Sequence, residues 1–246
     1  MTSPTAPYKT IGIIGGLGPQ ATMDLERRIH KVSQQLIPQF VNRGYPPMIV
    51  HYFRAAPMVL DENGDVPETL EPDPGLLAAA THLGQVADFL IIASNTPHFF
   101  VRQIEKVAGK PVLSIVDLVI DKVKRRQPKK VGVLAIGETL QHGLYQHPLD
   151  ELGIPWESIT EDMSSRLSDS ICALMEGKTD GDLGNAVSDA VLYLREQKHT
   201  DIIIFGCTEL PLLYGSTADY EGDINPAAVL AEAAVRRATQ NDTLNS

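Results

Sequence analysis

The sequence predicts an α/β protein built as two pseudo-symmetric parallel-sheet domains, and three observations carry that expectation. First, two stretches 113 residues apart are near copies: Asp88-Phe89-Leu90-Ile91-Ile92-Ala93-Ser94-Asn95-Thr96 and Asp201-Ile202-Ile203-Ile204-Phe205-Gly206-Cys207-Thr208-Glu209. Each is an acid, four large apolar residues, a small residue and a polar tip. A continuous apolar run bounded by turn residues is the pattern of a strand covered on both faces of a parallel sheet. Second, the openings of the two halves match, Lys9-Thr10-Ile11-Gly12-Ile13-Ile14-Gly15-Gly16 against Lys130-Val131-Gly132-Val133-Leu134-Ala135-Ile136-Gly137. Third, such runs alternate with segments of helical spacing, which implies parallel strands joined by right-handed crossovers.

In chain order, the first strand runs into a Gly-containing turn and then a helix over residues 20–36. There Leu25, Ile29, Val32 and Leu36 recur at helical spacing among Asp24, Glu26, Arg27 and Arg28. After the Pro46-Pro47 break, Met48-Ile49-Val50-His51-Tyr52-Phe53 reads as a strand. Residues 61–75 are polar and rich in Pro and Gly, long enough for a mobile loop. A helix over 76–86 feeds the first repeated strand. In the second half the spacing predicts a helix over 139–152, a short strand at Ile154-Pro155-Trp156-Glu157, and helices over 165–176 and 183–197. Asn225 is the N-cap and Pro226 the first residue of a last helix ending near Ala238. The chain is expected to cross between domains near Pro111 and Tyr220. That gives a first, discontinuous domain of residues 1–111 plus 221–246 and a second of residues 112–220.

Composition narrows the function classes. A chain of 246 residues with 43% hydrophobic and 21% charged residues is of ordinary globular type. Its net charge of −10 argues against nucleic acid as a partner, since phosphate neutralisation needs clustered cations. The one basic run, Lys122 to Lys130, reads as the solvated end of a helix. No apolar run reaches the ~18 residues of a membrane span, so no membrane partner is expected. The polar start, Met1 to Lys9, has no secretory h-region. The two cysteines, Cys172 and Cys207, form neither a disulfide framework nor a metal site, which fits a reducing cytoplasm. Cys172, within an apolar helical stretch, reads as a buried core thiol.

The residues with chemistry sit where strands end, the side on which open α/β sheets bind ligands. Gly15-Gly16-Leu17-Gly18 meets the dinucleotide fingerprint only in its loose form, Gly16-Leu17-Gly18-Pro19-Gln20-Ala21. The ribose-binding acid expected about 20 residues on is missing. A turn presenting backbone N–H groups to a carboxylate stays open. Cys207 is the stronger candidate. At a strand tip before a helix start, its thiol is expected to be made more acidic by helix-end N–H groups, favouring the thiolate that acts as base or nucleophile. Its repeat partner is the hydroxyl of Ser94.

Gly15 to Thr22, Ser94-Asn95-Thr96-Pro97-His98 and Gly206-Cys207-Thr208-Glu209-Leu210-Pro211-Leu212-Leu213 resemble the three signatures of the cofactor-independent aspartate/glutamate racemase family. The similarity extends more weakly over nearly the whole chain. The resemblance implies two pseudo-symmetric α/β domains with the active site in the cleft between them. It implies racemisation of a small amino acid by proton removal and return at Cα, without pyridoxal phosphate or metal, in a homodimer. Carried over, Cys207 is the second catalytic cysteine and Ser94 stands in place of the first. Asn95, Thr96, Thr139 and Thr208 match positions that hold the substrate. Arg54 and Lys178 are the candidate cations for an acidic side chain, although Lys178 in Glu176-Gly177-Lys178 lies one place early for aspartate. A serine is a poor base without an activating partner. Three explanations therefore stay open: a slow or asymmetric racemase, a single-cysteine decarboxylase or isomerase acting on one face, or an engineered Cys→Ser change. A non-catalytic carboxylate-binding protein is the alternative from another class. His98 is read as a loop-packing residue.

Overall fold

The central strands are buried throughout, and alternate residues along them join different apolar clusters, which assigns each sheet its two faces. In the computed structural model, which describes residues 8–41, 43–178, 183–215 and 222–239, the first half holds β1 (Ile11–Gly15), β2 (Met48–Tyr52) and β3 (Phe89–Ile92). All three are parallel, in the order β2-β1-β3. Ile11, Ile13, Phe89 and Ile91 point to one face and Ile14, Leu90 and Ile92 to the other. Gly12 faces the second side, where a Cβ would press on Leu90 and Ala87. Helices α1 (Pro19–Leu36), α2 (Pro74–Val86) and α3 (Val101–Ala108) belong to this half, with α2 and α3 packed on each other.

The second half repeats the plan. β4 (Val131–Leu134), β5 (Trp156–Ser158) and β6 (Ile202–Phe205) form a parallel sheet in the order β5-β4-β6. Its helices include α5 (Gly137–Gln141), α6 (Gln146–Glu151), α7 (Glu161–Met175), α8 (Leu183–Leu192) and α9 (Leu210–Tyr214). Two further helices follow the crossing segments: α4 (Ile115–Arg126) and α10 (Pro226–Thr239). Val112 bridges to Leu90 of the first sheet just before α4, and Ile224 bridges to Ile204 of the second just before α10. α10 packs on both α1 and α4. One apolar cluster thus joins Ile13 and Phe89 to Val131 and Ile204 through Val119, Val123, Leu230 and Ala234. Val112 and Ile224 sit close to the expected crossings; Tyr220 itself lies outside the described residues. We keep the division into residues 1–111 plus 221–246 and 112–220 as a proposal.

Several expectations need correction. The segment 139–152 is not one helix, because Gly143 takes φ 66° and separates α5 from α6. α7 starts earlier than expected, at the Thr160 cap, whose hydroxyl accepts from Met163 N at 3.3 Å. α2 likewise starts at Pro74, with Asp73 capping Gly75 N at 2.7 Å. Residues 61–73 form a loop as expected, in which Asp61 Oδ1 accepts from Asn63 N and Asp65 N and Met58 bridges antiparallel to Pro72. Cys172 is exposed, not a core thiol. The buried stripe of α7 is Leu167, Ser170 and Ile171, and position 172 falls off it despite apolar neighbours. The basic run ends α4, where Lys124, Arg125 and Arg126 fill the last turn. Asn225 does cap α10, its Oδ1 accepting from Ala227 N at 3.1 Å.

Candidate active site

The tips of β3 and β6 face a common cavity of about 160 Å³ between the two halves. Ser94, Asn95 and Thr96 reach it from the first half, and Thr139, Cys207 and Thr208 from the second. The volume is below the 300–1,000 Å³ typical of drug-sized ligands and suits a single small molecule. Arg54 and Lys178 are not brought there. Arg54 is exposed, its guanidinium 5.3 Å from the Tyr52 ring, and lines a neighbouring cavity of about 390 Å³. Lys178 is exposed and pairs with Glu176 at 2.5 Å.

Four contacts span the cleft. Tyr145, fully buried in the second half, donates its hydroxyl to Asn95 Oδ1 at 2.5 Å. The Asn95 amide nitrogen is buried with no hydrogen-bond partner among the described residues, a donor left over in a residue that lines the cavity. Thr96 Oγ1 and Thr139 Oγ1 lie 3.2 Å apart. Gln20, near the start of α1, donates Nε2 to Leu174 O at 3.0 Å, holding the last turn of α7 over the cleft. Finally, the Gly-rich turn meets Glu209: a Cβ on Gly18 would overlap Glu209 Oε1. That turn is braced by Thr22, whose Oγ1 accepts from Gly16 N and donates to Gly18 O, both at 2.9 Å. Gly16 has φ 84°, which disfavours any side chain there.

Glu209 is the charged partner of the thiol. Its Oε2 accepts from Cys207 Sγ at 3.1 Å and from Thr208 Oγ1 at 3.0 Å. The expectation of a more acidic Cys207 is overturned. Burial raises its pKa well above the ordinary thiol value, and the Glu209 carboxylate raises it further. The N–H groups of Glu209 and Leu210 do favour the thiolate, but less than those two effects oppose it. The resting group is therefore a thiol donating to a carboxylate. Burial also raises the Tyr145 phenol, with a smaller push from Cys207. Ser94 has no hydrogen-bonded base for its hydroxyl among the described residues.

Behind the site, His98 Nε2 accepts from Ile115 N at 3.1 Å and Nδ1 lies 3.1 Å from Asn95 O. The ring ties the loop after β3 to the start of α4. Glu209, Tyr145, Gln20 and Met175 were not assigned roles from sequence. Glu209 could have been found, since it stands two places after the thiol in the third signature. The others lie far in sequence from Ser94 and Cys207.

The model of the Asp/Glu/Hydantoin racemase family matches residues 14–234, most of the chain. The chain belongs to that family. It is accordingly an enzyme of the isomerase class. The broad specificity amino-acid racemase RacX of Bacillus subtilis is 26% identical over 226 residues, covering 92% of this chain and 96% of the relative. The glutamate racemase of Aquifex pyrophilus is 28% identical over 141 residues, 56% of this chain and 52% of that protein. Among solved structures, the aspartate racemase of Picrophilus torridus superposes with a TM-score of 0.74 at 20% identity, covering 95% of both chains. An aspartate racemase homologue from Pyrococcus horikoshii gives 0.72 at 24% identity, covering 94% of this chain and 100% of the other. These two likenesses establish the shared two-domain fold.

Proposed function

We propose that this chain is a cofactor-independent amino-acid racemase that removes the Cα proton on one face with Cys207 and returns one on the other from Ser94. The observation that carries the reading is the pairing itself: equivalent tips of two symmetric strands supply the two groups to one small cavity. The decarboxylase and binding-only alternatives gain no support from the relatives, which carry racemase names.

The steps follow from the contacts. The Cys207 proton passes along its hydrogen bond to Glu209, leaving a thiolate that is a strong base because burial disfavours it. The thiolate takes the Cα proton, and the electron pair moves into the substrate carboxylate. Asn95 Nδ2 and the one hydroxyl of the Thr96–Thr139 pair that does not donate to the other hold that carboxylate and stabilise its growing charge. The Ser94 O–H then donates to the opposite face, water reprotonates the alkoxide, and the hydroxide so formed takes the proton from Glu209, which restores the resting site. With no base beside Ser94 among the described residues, inversion is slow, while exchange on the Cys207 face proceeds faster.

Proton exchange at Cα in deuterated water, followed by NMR for both enantiomers of a panel of amino acids, tests this. Ser94→Cys should invert substrate at least about tenfold faster, equivalent to ~1.4 kcal/mol of barrier. Ser94→Ala should suppress inversion and leave Cys207-face exchange. No exchange with any amino acid, in either the present chain or Ser94→Cys, removes the reading.

A further inference from the structure

We propose that the substrate's side chain is neutral and apolar rather than carboxylate, with Leu17, Ile136 and Met175 selecting it; this rests on the racemase reading above. Among the described residues, the two charged side chains on the cavity wall are Glu138 and Glu209, both acidic. All 21 Lys and Arg residues and all 7 His residues fall within the described residues, and none of them lines the cavity. An aspartate or glutamate side chain would therefore enter a partly desolvated space with no cation and two like charges. The candidate cations are committed elsewhere. Lys178 pairs with Glu176 at 2.5 Å on the exposed end of α7. Arg54 belongs to the adjoining cavity, its guanidinium 5.3 Å from the ring of Tyr52.

What divides the two cavities is apolar. Leu17 and Met175 line both, so they stand between the reacting tips and Arg54. Ile136, half-buried at the start of the α5 turn, adds a third apolar wall. Met175 is 40% exposed and reaches the cavity from the end of α7, which Gln20 fastens to the first half. Its flexible thioether adapts to side chains of different length. Asn95 Nδ2 and the free hydroxyl of the Thr96–Thr139 pair serve the α-carboxylate, which every amino acid carries. Discrimination then falls to these three side chains.

The test uses the full chain with L- and D-methionine, leucine, aspartate, glutamate and lysine. Two readouts are taken: Cα exchange in deuterated water, and saturation-transfer NMR for binding. Methionine and leucine should exchange at least about tenfold faster than the acidic pair, in the range an apolar pocket can discriminate. Met175→Arg, at a position that tolerates length, should shift the ratio at least about tenfold toward aspartate. Aspartate, glutamate or lysine exchanging as fast as methionine overturns the inference and leaves the racemase reading intact. If no amino acid exchanges, the racemase reading falls and binding decides the pocket. Saturation transfer to methionine but not aspartate upholds the apolar pocket, and the reverse order or no transfer to methionine overturns it.

Discussion

Acidification should weaken the protein through His98. Because Nε2 accepts the Ile115 N–H, the ring must be neutral with its proton on Nδ1, directed at Asn95 O. Burial disfavours the imidazolium and lowers the pKa to about 4, opposed in part by the carbonyls of Asn95 and Ser94. In the unfolded chain the ring titrates near ~6.5. Between those values the unfolded state holds the extra proton. The stabilising contribution is thus complete above the unfolded value and is lost as pH falls through the window. About 2.5 units at ~1.4 kcal/mol each come to about 3 kcal/mol by pH ~4. Urea unfolding, followed by fluorescence of Trp156, the chain's one tryptophan, would measure it against His98→Leu. That variant leaves Ile115 N unpartnered, while Asn95 O keeps the backbone N–H of residue 98, and it should cost about 2–3 kcal/mol near neutral pH. The gap between the two proteins should close by about 3 kcal/mol on acidification. A gap independent of pH, or an NMR titration of His98 near ~6.5, would refute the reasoning.

Two more substitutions probe the thiol. Gly18→Ala places a methyl group on Glu209 Oε1, so the carboxylate must move and release Cys207 and Thr208. Cα exchange should fall by at least about tenfold, equivalent to ~1.4 kcal/mol, with little change in melting temperature; unchanged exchange would show that the Glu209 position is immaterial. Glu209→Gln removes the negative charge that opposes the thiolate, so alkylation of Cys207 by iodoacetamide should begin at lower pH. The measurement needs a Cys172→Ser background, since Cys172 is exposed and would also react. A profile that stays put or moves to higher pH would count against the carboxylate's control of the thiol.

The parts legible in the sequence were those whose burial leaves an unbroken pattern. β3 and β6 are covered on both faces and therefore read as four consecutive apolar residues. Ser94, Asn95, Thr96, Cys207 and Thr208 were legible with them, being attached to the strand ends. The α5–α6 break was not, because helical spacing continues through Gly143 and only its φ of 66° reveals the turn. Arg54 and Lys178 show the limit of spacing arguments. Each side chain's direction is set by a partner, Tyr52 or Glu176, that competes for it. The acidity of Cys207 failed for a related reason. Helix-end N–H groups were visible in the pattern, whereas burial and the side-chain rotamer of Glu209 exist only after folding.

The cluster shared by the two sheets governs how the molecule comes apart. Helices α4 and α10 each leave one sheet and lie in a core that includes strands of both. A half-chain would expose Ile115, Val119, Ile120 and Val123, or Leu230, Ala231 and Val235, all of which are buried in the whole protein. Neither half keeps its whole core without the other. Loss of either sheet strips the shared helices of part of their cover, so urea should unfold the chain in one cooperative transition rather than domain by domain.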